Sequence, residues 1–91
     1  MADAVLHDPD AKKAIDARLA RVQGQIQAVR RMIDEDRNCE DTALQLAAAR
    51  KALDRAFYEM VSCMIRMNRA RSVTAQREHA SKVADLLARF G

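Results

Sequence analysis

Between residues 25 and 90 the chain contains neither glycine nor proline. That stretch offers almost none of the residues that tight turns favour, so it restricts the fold to long helices with few breaks. Leu46, Leu53, Met60 and Met67 recur at intervals of seven, and Ala49, Ala56 and Cys63 follow the first three of them by three. An apolar row every seven residues is the seam of helices packed in coiled-coil fashion, and alanine at the interleaving positions lets another helix approach closely. Composition agrees: the chain is rich in Ala, Arg, Asp, Leu and Met, and has three aromatic residues and no tryptophan. The fold class is therefore all-α, and with no internal repeat or linker residues 1–91 form one domain.

Three helices are expected. Asp8 caps the first, Pro9 suits its first position, and Asp10 complements the positive end of the dipole. Ile15, Leu19, Val22, Ile26, Val29 and Ile33 then alternate spacings of four and three, which predicts helix over 9–36. Gly24 falls inside it and is expected to mark a close helix crossing. The second helix is predicted over 40–69, about 45 Å at 1.5 Å per residue. A break around Arg71 to Thr74, with Ser72 or Thr74 as cap, precedes a third helix over 73–90, whose apolar side is Val83, Leu86, Leu87 and Phe90. A chain this short cannot cover its second helix alone, so a second copy running antiparallel is expected to complete the core.

The net charge is +3, but the basic residues are clustered. Lys12, Lys13, Arg18, Arg21, Arg30 and Arg31 lie in the first segment, Arg50, Lys51 and Arg55 in the middle of the second, and Arg66, Arg69 and Arg71 at its end. Such clusters on a small domain point to nucleic acid as a partner. The first residues are too few and too acidic for a signal peptide, and no apolar run is long enough for a membrane span. The protein is expected in the cytoplasm, where its two cysteines would be thiols, ligands or redox sensors.

Cys39 is the leading candidate for chemistry, because it stands where one helix hands over to the next and a helix N-terminus stabilises thiolate. Cys63 lies twenty-four residues further on, over about 30 Å away along a helix. The two meet only between chains. In an antiparallel pair crossing near Lys51 and Ala52, Cys39 of one copy approaches Cys63, Met64 and Met67 of the other. That set of thiolate and thioether donors is soft and suits Cu(I) or sulfur chemistry. Cys63, Met60 and Met67 have a plainer reading as core residues. His79 is expected on the surface of the third helix, and His7 lies in the leader. No nucleophilic triad, phosphate-cradling loop or paired-carboxylate site is present, so the chain is not read as an enzyme.

The segment Ala17-Arg18-Leu19-Ala20-Arg21-Val22-Gln23-Gly24-Gln25-Ile26, followed by Arg31 to Asp36 and then Cys39, resembles the CsoR/RcnR/FrmR family of bacterial transcriptional repressors. The likeness continues through Gln45 to Arg50 and Glu59-Met60-Val61. It implies a three-helix protomer, an antiparallel dimer and a dimer-of-dimers tetramer that binds operator double-stranded DNA and leaves it when an effector engages the α2 cysteine. On that resemblance Cys39 is the effector thiol, and His7 matches the N-terminal histidine of the nickel/cobalt and formaldehyde branches. Met64 stands where metal-sensing members place a histidine of the other chain, and Asn68 at the further ligand position of the copper branch. Charge and resemblance together assign DNA contact to Arg18, Arg21, Arg50 and Lys51. Three effector readings follow: Cu(I) held by Cys39 with Met64 or Cys63; Zn(II), Ni(II) or Co(II) held by Cys39 and His7 with a weaker third ligand; or direct reaction of Cys39 with an aldehyde or sulfur electrophile. The rival reading is a helical metal-binding or scaffold module without DNA binding.

Overall fold

The computed structural model describes residues 5–68 and 72–91. Three helices follow one another along the chain: α1 from Pro9–Asp34, α2 from Cys39–Met67 and α3 from Val73–Phe90. Together they form a slab of 56 × 28 × 17 Å. The helix-to-helix order and the third helix are as the sequence predicts, while the predicted end of α2 at Arg69 and the break at Arg71 lie outside the described residues.

Local chemistry accounts for the boundaries. The Asp8 carboxylate accepts from the backbone N–H groups of Asp10 and Ala11, at 3.0 and 3.5 Å, satisfying donors that the first turn of a helix leaves open. At the other end α1 stops two residues earlier than predicted. Asp36 adopts a left-handed conformation with φ of 55°, its N–H donates to the Ile33 carbonyl at 3.2 Å, and the Arg37 N–H donates to the Met32 carbonyl at 2.9 Å. This pair of bonds is a Schellman closure, in which a glycine would ordinarily occupy the left-handed position. Two residues later the chain enters α2. The Asn38 side chain accepts from the Asp41 N–H at 2.9 Å, and Glu40 and Asp41 place negative charge in the first turn. Of the two caps proposed for α3, Ser72 is the one used: its hydroxyl accepts from the Ala75 N–H at 3.2 Å.

The helices α1 and α2 pack as an antiparallel hairpin. Ala11, Ile15, Val22 and Val29 are buried on α1, and Ala49, Ala56, Val61 and Cys63 on α2. Within the protomer, then, the alanine row of α2 forms the seam. The leucine and methionine row does not. Leu46 and Leu53 are about half exposed, and on α1 Leu19, Ile26 and Ile33 are exposed too. Both open rows follow a buried row by four residues. In an antiparallel pair that shared offset puts them on the same flank of the hairpin, where Val22, Ile26, Ala43, Leu46, Ala49, Arg50 and Leu53 line one apolar groove.

Two sequence expectations are corrected here. A methyl group built on Gly24 meets nothing within 4 Å, so this glycine does not mark a close crossing within the protomer. His79, expected at the surface, is 4 % exposed and is the only buried polar side chain among the described residues. It lies on the inner face of α3 with Val83, because α3 folds back onto the C-terminal part of α2.

Candidate functional site

Cys39 is the first residue of α2, immediately after the Asn38 cap, and its thiol is free and exposed. The cap commits its oxygen to the Asp41 N–H, and the Thr42 hydroxyl donates to the Asn38 carbonyl at 3.0 Å. These bonds fix the turn from which the thiol projects. It opens onto a cleft with an apolar wall of Val29, Ile33, Ala43 and Leu46 and a polar rim of Asp36, Arg37 and Thr42. By the seven-residue period, Cys39 also heads the row of Leu46, Leu53, Met60 and Met67. The thiol thus lies on the same uncovered flank as the apolar groove.

The other candidate ligands are at the far end of the hairpin. Cys63 is 3 % exposed and packs against Ala11 and Ile15, with Leu6 laid over the cluster. Its sulfur accepts from the Arg66 guanidinium at 3.0 Å, and Arg66 also pairs with Glu59 at 3.7 Å. Cys63 therefore faces inward in the protomer. Met64 follows it by one residue and is half-buried on the uncovered flank. His7 is exposed, next to Leu6, and so belongs to this same end. Twenty-four residues of helix, about 36 Å, separate this end from the chain's own Cys39. Accordingly, no group of three or more His, Cys, Asp or Glu side chains among the described residues comes close enough to hold a metal ion.

The four basic residues expected to meet DNA are all exposed, and among the described residues none of them is in an ion pair. The structure divides them. Arg50 follows the buried Ala49 by one and lines the apolar groove beside Val22 and Leu53. Arg21 precedes the buried Val22 by one, and Arg18 shares its side of α1, on the opposite flank of the hairpin. Lys51 points outward from α2. Arg55, in one basic cluster with Arg50 and Lys51 but not among the four residues assigned to DNA, precedes the buried Ala56 by one and falls on the flank of Arg18 and Arg21. The signal that finds it is the register between the two buried rows, which needs the pairing of α1 with α2 to be known.

Residues 11–89 match the family described as metal-sensitive transcriptional repressor. The chain belongs to that family. Its members act by occupying DNA rather than by catalysis, and the scaffold reading without DNA binding falls with this assignment. The fold is also that of the nickel-responsive transcriptional regulator InrS, with a TM-score of 0.76 and 27 % identity over 96 % of this chain and 100 % of the InrS chain. Among the described residues, no helix of this repressor is long and apolar enough to cross a membrane.

Proposed function

We propose that this metal-sensitive repressor binds its operator as a dimer or tetramer, and that an effector captured by Cys39 of one copy together with Met64 and His7 of another lowers its affinity for DNA. One observation carries this reading. Cys39 and Met64 lie at opposite ends of a single uncovered apolar flank, so an antiparallel second copy laid on that flank covers the apolar rows and brings each thiol to the other chain's Met64 end. The same pairing brings His7, which sits at that end through Leu6.

The donor set tests which metal fits. A cysteine thiolate, a methionine thioether and an imidazole form a soft site suited to Cu(I), while thiolate plus imidazole alone also accepts Ni(II), Co(II) or Zn(II). The likeness to a nickel-responsive regulator favours keeping Ni(II) among the effectors tried. Cys63, turned into the core with Arg66 on its sulfur, is the weaker member of the set. A second reading is favoured by the exposure of the free Cys39 thiol at the start of α2, which leaves its sulfur open to reaction with an aldehyde or a persulfide.

On the opposite flank Arg18 and Arg21, joined by Arg55, supply phosphate contacts, and repetition of the patch in an assembly adds weak contacts into useful affinity. Titrating the reduced protein on operator DNA with Cu(I), Zn(II), Ni(II), formaldehyde and persulfide tests the sensing reading. Wild type should release DNA with at least one of them, and Cys39→Ser should release with none. A Cys39→Ser protein that responds as wild type does removes the thiol from the mechanism.

A further inference from the structure

In the last turn of α2 the Met64 carbonyl lacks its helical donor, and a buried histidine of α3 takes the place. The Asn68 N–H, which would bond the Met64 carbonyl in a continuing α-helix, turns instead to the carbonyls of Ile65 and Arg66. His79 Nε2 lies 2.6 Å from the freed Met64 oxygen. A carbonyl only accepts, so Nε2 carries the proton in this bond. Nearby, the Asn68 amide donates to the Gln76 carbonyl at 3.3 Å. These two bonds pin α3 to the final turn of α2.

Met64 is thus held from two sides. Its thioether belongs to the uncovered flank that faces the second copy's Cys39, and its carbonyl belongs to the contact with α3. We propose that His79 is a positioning residue of the sensor, reporting occupancy at Cys39 and Met64 to α3 through the Met64 carbonyl. This inference rests on the sensing reading given above. Drawing the Met64 side chain toward an effector moves its own peptide group, and a shift of about 1 Å takes a bond of this length beyond hydrogen-bonding range. α3 must then follow α2 or let go of it, so the two states of the site become two placements of α3.

The test uses the full chain as His79→Leu, which removes the donor, and His79→Gln, whose amide N–H can replace it. Affinity for operator DNA is measured with and without Cu(I), Zn(II), Ni(II), formaldehyde and persulfide. The ratio of the two affinities in wild type should lie in the range of about 5- to 150-fold usual for coupled sites. His79→Leu should bind DNA without effector within about threefold of wild type while its ratio falls toward one, and His79→Gln should keep most of the ratio. A merely structural histidine would lower the melting temperature of both variants and leave the ratio alone. Should His79→Leu fail to fold, the side-chain nitrogen resonance of His79 in wild type decides: it should move when the effector binds, and an unmoved resonance during DNA release overturns the proposal. Equal release from wild type and His79→Leu overturns this coupling while leaving the sensing reading intact. A wild type released by none of the five probes removes both.

Discussion

Asp36 is the residue at which local strain and function lie closest. Its left-handed backbone closes α1 and starts the short turn that presents Cys39, yet that conformation costs an L-residue about 1 kcal/mol or more relative to glycine. Asp36→Gly should therefore raise the stability of the folded protein by about 0.5–1 kcal/mol, read as a higher urea midpoint at unchanged slope. A lower midpoint would mean that the aspartate side chain makes a stabilising interaction. Two residues on, Asn38→Ala removes the oxygen that accepts from Asp41 and should cost about 1 kcal/mol in the same measurement. The Asp8 cap is legible in the sequence because a capping residue, a proline and an acidic residue arrive together. Asp36 is not, because a left-handed non-glycine residue has no compositional mark. His79 is hidden for a similar reason: one histidine on an amphipathic helix has no pattern, and its burial follows from the carbonyl it satisfies at the end of another helix.

At the scale of the helices, the seven-residue rows carry nearly the whole fold, and α3 begins where the sequence predicts. What the rows do not distinguish is which of two parallel stripes on α2 meets α1. Alanine and cysteine occupy one stripe and leucine and methionine the other, and the larger side chains are the ones left open. Small residues let the two helices of one chain approach closely, while large ones suit a second chain that must bring its own apolar surface. The same ambiguity groups Arg50 with Arg18 and Arg21 in the sequence, whereas the hairpin puts it on the groove side. Gel-shift titrations of Arg18→Ala, Arg21→Ala and Arg55→Ala should show weaker binding and a shallower dependence on salt, with the slope falling by about one for each phosphate that is no longer neutralised. Unchanged slopes in all three would place the DNA elsewhere. Gly24, where an added methyl group meets nothing within 4 Å in the protomer, should accept alanine with a gain of about 1 kcal/mol in helix stability. A fall in melting temperature would show that another chain approaches there.

For the whole molecule, the exposed apolar rows are the largest fact about the protomer. Leu19, Ile26, Ile33, Leu46, Leu53 and Met60 share one flank, and fully burying such a side chain contributes about 1.5–3 kcal/mol. Leu53→Asp should accordingly break the assembly, shifting the sedimentation coefficient to that of a monomer and lowering helicity. An assembly unaffected by that change would put the interface on another face. The central claim is that each sensing site is built from two chains, and complementation between variants tests it most directly. Cys39→Ser and the double variant His7→Ala with Met64→Leu should each lose high-affinity Cu(I) and Ni(II) binding as pure assemblies. Unfolded together and refolded as mixed assemblies, they should recover one metal site per mixed dimer, since the thiol of one chain then faces the intact His7 and Met64 of the other. Mixed assemblies that bind no more metal than the separate variants would contradict the account.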